Sequence, residues 1–440
     1  IRTVTNPNNN NASVSLGTEY SSCANALDQD ILTLTDNLTW LVGKHNLTFG
    51  THNELYRFEN LFIQNLYGSY NFDNLEGFLN GTVSSYSYGQ AKEDITGNPN
   101  WAPEFGAAQL GLYVQDQWEV TNNLSLTYGI RMDIPMFMDT PSENVAFNKW
   151  DVAKQWGVKT NREISSNPLF SPRAGFRWNI DREKGMLLRG GVGIFTGRIP
   201  FVWLSNSFSN TGVEFMKYYY SYPSFTGFHI VTDPHGQLNM LQNAVTDKTT
   251  EVDVFSKDFK FSQNLRFNLA YEMRLPFDVK MTLEGMYSKT LNDILYRNIN
   301  IEESGETVAS KGYAPFDQRA YFKKINGDYT RVMLLDNTSK GYTYNLSAKL
   351  EKSFDFGLDA MVAYTYGQSK SLNSGGSSVA WSNFRYNYTV GHPNEPELGY
   401  SNFNIPHRVV GMLTYNKKWN NNLRTSVSLI YTGQSGTPYN

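Results

Sequence analysis

The 440-residue sequence has no uninterrupted stretch of eighteen apolar residues, which excludes a hydrophobic transmembrane helix. It has one cysteine, Cys23, so it can form neither a disulfide framework nor a cysteine-based metal cluster, and we interpret Cys23 as an incidental loop residue. Charged residues make up only 18% of the chain, below the usual ~25%, and the net charge of −3 comes without a basic patch. This composition disfavours an ordinary soluble enzyme and a nucleic-acid-binding protein.

The chain is instead rich in aromatic residues, which make up 15% of it, and in alternating polar and apolar positions. In residues 124–136, LSLTYGIRMDIPM, every even position carries an apolar or aromatic side chain, whereas the odd positions carry Ser, Thr, Gly, Arg, Asp and Pro. This period of two predicts a strand about 40 Å long. Strands of soluble proteins are usually shorter, whereas a tilted strand that crosses a bilayer needs ~9–11 residues. The mean hydropathy of −0.46 is compatible with this reading, because lipid-facing and lumen-facing residues average out in a membrane barrel.

The same pattern recurs along the chain as paired strands. We predict twelve strands in six hairpins near residues 30–58, 107–137, 172–196, 262–290, 341–368 and 407–433. Short polar turns alternate with connections of roughly 30–65 residues, which we interpret as loops, as we do residues 1–29. Such an alternation has no reason to occur in a soluble sandwich but is typical of outer-membrane barrels.

Tryptophans support this interpretation, because four of them lie within five residues of a short turn: Trp40, Trp118, Trp178 and Trp419. An interfacial aromatic girdle belongs at that depth. Asp116 interrupts an apolar face near the same turns, where a carboxylate costs only ~0–1 kcal/mol. We therefore predict an all-β fold, a transmembrane antiparallel up-and-down β-barrel, with residues 1–440 forming part of its wall.

The polar faces of the predicted strands carry charges of both signs. Such a surface suits a hydrated lumen or one packed against a plug domain. Mutual salt bridges and a substrate path both remain open as explanations. The residues predicted to face the lumen are Arg131, Asp133, Arg173, Arg177, Arg189, Arg266, Glu272, Lys280, Glu284, Lys349 and Glu351.

The long connections concentrate aromatic side chains. Exposed aromatics at this density indicate either loops that pack together or a surface that contacts a ligand or partner. The candidate contact residues are Phe201, Trp203, Tyr218, Tyr219, Tyr220, Trp381, Arg385, Tyr386 and Tyr388.

No motif for catalysis or cofactor binding stands out. The six histidines lack zinc-ligand spacing, and no Ser/His/acid set is singled out. The glycines of residues 190–197, GGVGIFTG, fit neither a dinucleotide fingerprint nor a P-loop, and we interpret them as strand glycines. We expect no cofactor, no metal and no enzymatic activity.

Several segments resemble the barrel of TonB-dependent outer-membrane receptors. They are LFSPRAGFRW (169–178), LRGGVGIFTGR (188–198), LYVQDQW (112–118) and LTYGIR (126–131). NIPHRVV (404–410) and YTGQSGTPY (431–439) resemble the Oar-like subgroup of Bacteroidetes and myxobacteria. The resemblance covers most of residues 30–440.

The resemblance implies a barrel of 22 strands, of which about 12 are present, together with an N-terminal plug and a TonB-contacting segment. A carboxypeptidase-regulatory-like domain often accompanies them. We find no plug domain in this chain, and its ends lead us to expect an internal slice of a longer protein.

The implied function is TonB-dependent active uptake of a large or scarce substrate across the bacterial outer membrane. The alternatives are a passive porin-like channel and a structural or partner-binding barrel in a surface protein assembly. Expected partners are outer-membrane lipid, the TonB complex through segments outside this chain, and a surface lipoprotein or another assembly subunit, but not nucleic acid. The sequence does not specify the substrate.

Overall fold

A computed structural model describes residues 2–4, 13–164, 166–198, 201–221, 230–233, 236–237 and 250–437. The strands, in chain order, are β1 (Arg2–Val4), β2 (Ser13–Ser15), β3 (Asn25–Val42), β4 (His45–Phe62), β5 (Ser69–Asn71), β6 (Ser85–Ala91), β7 (Glu104–Thr121), β8 (Leu124–Phe137), β9 (Leu169–Asp181), β10 (Met186–Thr196), β11 (Phe215–Ser221), β12 (Thr250–Phe255), β13 (Gln263–Leu275), β14 (Val279–Asn298), β15 (Ile301–Thr307), β16 (Ala320–Lys324), β17 (Tyr329–Thr338), β18 (Gly341–Ser353), β19 (Leu358–Ser371), β20 (Gly399–Tyr400), β21 (His407–Lys418) and β22 (Arg424–Gln434). The α-helices are α1 (Leu75–Leu79), α2 (Glu93–Thr96), α3 (Val145–Lys149), α4 (Asp151–Gln155), α5 (Phe201–Ser209) and α6 (Ala380–Arg385).

Among these described residues, no helix combines the length and the apolar character needed to cross a membrane.

Twelve long strands form one antiparallel sheet, which we call the wall. Its members pair in chain order as β3, β4, β7, β8, β9, β10, β13, β14, β18, β19, β21 and β22. The all-β, antiparallel prediction is confirmed. Several wall strands run further than the alternation suggested; for example, β3 begins at Asn25, which pairs with Phe62, and β14 continues to Asn298. The sheet is open, because β3 and β22 have no wall neighbour on their outer sides within the described residues.

Side chains alternate across the wall, so each strand contributes to an apolar face and a charged face. The register places Ile130 of β8 beside Val114 of β7, and Leu269 of β13 beside Gly190 of β10. These apolar side chains are not covered: Ile130 is 42% exposed and Leu269 is 53% exposed. A continuous exposed apolar face of this extent is suited to lipid rather than to water. Further members of the apolar face are Leu32, Leu38, Leu112, Phe267, Leu346, Val362, Leu413 and Leu429.

The two ends of the wall differ. At the turn end, the strands of each hairpin are joined by short segments, such as Gly43–Lys44 and Asn122–Asn123. At the loop end, the five long connections and the first residues of the chain fold into a second structural layer, which we call the loop-end layer. It contains the six α-helices of the described residues, the sheet β11-β6-β5-β1-β2 and the parallel pair β12–β17. In this pair, β17 is also hydrogen-bonded to the loop end of β14.

The prediction of long irregular loops is therefore wrong, both for the connections and for residues 1–29, of which the structure describes 2–4 and 13–29. The connections form structure because they bury aromatic and aliphatic side chains that are distant in sequence. One hydrophobic core combines the loop ends of the wall strands with α5, α6 and β17. Its members include Tyr56, Phe58, Phe105, Leu204, Phe208, Phe259, Phe261, Tyr296, Met333 and Leu335.

Candidate functional site

The residues predicted to face the lumen all lie on the charged face of the wall. Residues that pair directly across a sheet share a face, and the register connects them from strand to strand. Arg177 pairs with Arg189, and Lys280 pairs with Glu351. The remaining predicted residues lie on this face by the same pairing and alternation in β8, β9, β10, β13, β14 and β18.

Most of these charges neutralise one another. Arg131 contacts Asp133 at 2.7 Å, and Lys349 contacts Glu351 at 2.9 Å. Arg189 reaches both Glu272 and Glu284 at 3.3 Å, and Lys280 reaches Glu272 at 3.0 Å. Every acidic residue of the predicted set is therefore in an ion pair.

Three arginines of the set are not neutralised in this way. Arg173, Arg177 and Arg266 make no ion pair with any residue that the structure describes. The guanidinium carbon of Arg266 lies 5.7 Å from the centre of the Phe195 ring, and Nε of Arg173 is buried without a hydrogen-bond partner among the described residues. The predicted set thus carries an excess of positive charge.

A cavity of about 280 Å³ opens on the charged face near the loop end, beside Arg131, Asp133 and Arg173. Among the lining residues that sequence reasoning missed are Glu54 of β4 and Arg198, which form an ion pair. Glu54 lies in a strand with irregular alternation, and Arg198 follows β10 in a connection. No local pattern links these two positions, which are far apart in the sequence.

The glycines of residues 190–197 lie mostly within β10, as predicted, rather than in a phosphate-binding loop. Gly193 pairs with Arg173 on one side and with Arg266 on the other. A Cβ atom at Gly193 would lie 2.9 Å from the Cβ of Arg173, so glycine here makes room for the neighbouring arginine.

Four of the predicted contact residues pack inside the loop-end layer. The ring of Phe201 lies 4.4 Å from that of Tyr56, and Trp203 meets Tyr296 edge-on at 6.2 Å. Tyr218 and Tyr220 of β11 stack on the tyrosines of β6 at 6.1 and 6.3 Å. For these residues the structure shows packing of the connections against wall strands or against one another.

The other predicted contact residues are more accessible. Tyr219 is exposed, as is Arg385, while Tyr386 is 64% exposed and Tyr388 is 91% exposed. Trp381 is half-buried. Three of these side chains, Trp381, Arg385 and Tyr386, line a second cavity of about 240 Å³, which we call the loop-end cavity.

An ion cluster around the buried carboxylate of Glu251 forms one side of the loop-end cavity. Oε2 of Glu251 lies 2.7 Å from a terminal nitrogen of Arg331 and 3.6 Å from Nζ of Lys217. The guanidinium carbon of Arg331 lies 4.7 Å from the centre of the Trp381 ring. Strands β11, β12 and β17 each supply one charge, so the cluster connects parts of the chain that the sequence separates widely.

The cluster affects the protonation of two neighbouring carboxyl groups. Burial tends to raise the pKa of Glu251, but the charges of Lys217 and Arg331 outweigh it and lower that pKa below its ordinary value. Burial and then the negative charge of Glu251 raise the pKa of Asp253 well above its ordinary value, which favours its protonated form. At neutral pH Glu251 is therefore ionised.

Residues 2–440 match the family model described as an outer membrane beta barrel domain. The chain belongs to this family. An outer-membrane β-barrel domain lies in the bacterial outer membrane, and the family is not one of enzymes. Within the described part of this barrel domain, no group of three or more His, Cys, Asp or Glu side chains is placed to hold a metal ion.

Solved structures with a similar fold include a mutant of the ferric enterobactin receptor PfeA of Pseudomonas aeruginosa, with 13% identity and a TM-score of 0.49 over 99% of this chain and 44% of that one. The outer membrane transporter YddB of Escherichia coli has 12% identity and a TM-score of 0.47 over 93% and 47%. The FrpB iron transporter of Neisseria meningitidis has 9% identity and a TM-score of 0.46 over 89% and 42%.

This barrel domain thus spans less than half the length of each of those three proteins. A search of curated proteins finds no match to it.

Proposed function

We propose that this outer-membrane barrel domain forms part of the wall of an active transporter of the TonB-dependent type, which takes up a large or scarce substrate. The apolar face would contact lipid, and the charged face would line the lumen. The observation that supports the proposal best is the position of the charged face directly below a folded layer that contains a cavity. A substrate could bind in that layer and then move along a hydrated wall.

The orientation follows from the connections. Outer-membrane barrels have short periplasmic turns and long extracellular connections. We therefore assign the turn end to the periplasm and the loop-end layer to the cell surface. Energy would come from the TonB complex through segments outside residues 2–440, and a surface lipoprotein would meet the loop-end layer.

An experiment on the full-length protein distinguishes active uptake from passive flow. Planar bilayers that contain the purified protein are bathed in KCl and their conductance is recorded. In parallel, depletion of metabolites from the medium is compared between the parent strain and a deletion strain, with and without a protonophore. We expect no steady conductance. We also expect at least one metabolite to be depleted from the medium only when both the gene and the proton gradient are present.

The two alternatives predict other results. A porin-like channel would give steady conductance and depletion that the protonophore does not affect. A purely structural or partner-binding barrel would give neither conductance nor gene-dependent depletion. Either result would overturn the proposal of active uptake.

A further inference from the structure

The loop-end cavity gathers three cationic side chains from separate elements. Lys217 comes from β11, Arg331 from β17, and Arg385 from the last position of α6. Among the described residues that line this cavity, Glu251 is the one acidic side chain. Two of the cations already share its Oε2 atom. Arg385 is exposed and makes no ion pair with the described part of the chain, so the lining carries a net positive charge.

Polar groups at the cavity are incompletely satisfied. Nε of Arg331, Oε1 of Glu251 and Oγ of Ser209 are all buried and have no hydrogen-bond partner among the described residues. Buried polar groups normally do have partners, so unpaired ones beside a cavity indicate where ligand groups could bind. Both donors and acceptors are available at this site.

The cavity also offers aromatic surface. One cation, Arg331, lies over the Trp381 ring, which stacks on Phe384 with 5.8 Å between ring centres. Tyr386 is mostly exposed, and Arg385 lies 5.5 Å from its ring centre. Rings and guanidinium groups side by side can hold a planar ligand that carries carboxylates.

We infer that the loop-end cavity binds a small organic anion that carries carboxylate groups, and that this anion is the substrate class of the transporter. The inference rests on the proposed function, since it names what that function would take up. Arg385, which has no ion-pair partner among the described residues, provides the first contact, because it can form a bidentate, charge-assisted pair with a carboxylate. Lys217 and Arg331 lie deeper and add positive potential.

The predicted lumen set on the wall below has the same sign of excess charge. Arg173, Arg177 and Arg266 are the members of the predicted lumen set without an ion pair to a described residue, whereas every acidic member has one. A surface of one sign raises the local concentration of ions of the opposite sign. An anion that leaves the loop-end cavity would therefore meet further unneutralised arginines on its way.

Equilibrium dialysis on the full-length protein in detergent tests the inference. The probe is benzene-1,3,5-tricarboxylate, and the corresponding tricarboxamide is its uncharged counterpart. We expect the tricarboxylate alone to bind, with an affinity that falls as salt is added. Arg385→Gln should weaken binding by about tenfold or more, the value of one charge-assisted hydrogen bond.

Lys257→Gln serves as the matched control, because Lys257 is an exposed cation of the loop-end layer that does not line the cavity. It should leave the affinity within about twofold, as expected for a screened surface charge. Equal binding of the amide, or equal affinity of the Arg385→Gln and Lys257→Gln proteins, would overturn the inference.

The binding test and the uptake test give independent results, so the anion site and the proposed transport function can fail separately. Anion binding without proton-gradient-dependent uptake would support the site and contradict the transporter. Proton-gradient-dependent uptake without anion binding would support the transporter and contradict the site.

Discussion

His45 of β4 and Asp116 of β7 are joined by a hydrogen bond of 2.7 Å between Nδ1 and Oδ2 on the apolar face of the wall. The Tyr128 hydroxyl of β8 donates to the same oxygen at 2.7 Å, and the His45 ring stacks on Trp118. Asp116 is only 5% exposed although its neighbours face outward. A carboxylate is therefore tolerated on this face because two adjacent strands supply its partners.

This relationship predicts an energetic coupling between His45 and Asp116. His45→Ala should lower the free energy of unfolding by about 1–3 kcal/mol, because it leaves a buried carboxylate short of one donor. In the Asp116→Ala background the same substitution should cost much less. Urea unfolding of the four proteins in lipid vesicles measures the difference, and additive effects would show that the two side chains are not coupled.

The ion cluster around Glu251 predicts a pH-dependent effect of Asp253→Asn. The pKa of Asp253 is raised in the folded state, so protonation of Asp253 favours folding. This contribution to the stability of the fold is fully present below the unfolded pKa, about 4, and is lost as the pH rises through the folded pKa. The asparagine protein should thus be more stable than the parent at neutral pH, and this gain should shrink toward pH 4. Asn210 can donate to the new amide oxygen as it now donates to Asp253.

Urea unfolding of both proteins at several pH values checks this prediction. Glu251 contributes in the opposite direction, because its lowered pKa stabilises the fold above its unfolded pKa. Comparing the two proteins removes most of that background. A difference in stability that does not vary with pH would show that Asp253 does not titrate as we describe.

The wall could be predicted from the sequence because its signals are local. A strand such as β8 shows its period of two within thirteen residues, and a turn such as Asn122–Asn123 separates it from β7 without any information about distant residues. The charged face followed from the same alternation. Neither step required knowledge of tertiary packing.

The loop-end layer could not be predicted in this way. Residues of β12 pair in parallel with β17, some eighty positions later, and Glu251 finds Arg331 through that pairing. Short strands with buried charges have no periodic signature. The aromatic richness of the connections was visible, but whether Phe201 packs or binds depends on Tyr56, which lies on a distant wall strand.

The open edges of the wall predict further strands beside β3 and β22. Unpaired backbone groups are too costly within a bilayer, so both edges must be paired in the membrane. If about ten strands complete the barrel, spin labels at Leu38→Cys and Leu429→Cys should be more than about 30 Å apart, since strands lie about 4.8 Å from each other. The measurement is a pulsed electron resonance distance on the full-length protein with Cys23→Ser. A short distance would indicate that β3 and β22 pair directly and close a twelve-stranded barrel.

In the proposed transporter the apolar face contacts lipid and the charged face lines the lumen, and two substitutions on one strand distinguish these two environments. Ile130 lies on the apolar face of β8, and Thr127 lies on its charged face beside Gly175. The measurement is the free energy of unfolding in lipid vesicles. We expect Ile130→Arg to lower it by about 2–4 kcal/mol, as for arginine facing the bilayer midplane, and Thr127→Arg to leave it nearly unchanged. Equal tolerance of both arginines, or a larger loss at Thr127, would show that the apolar face does not contact lipid as proposed.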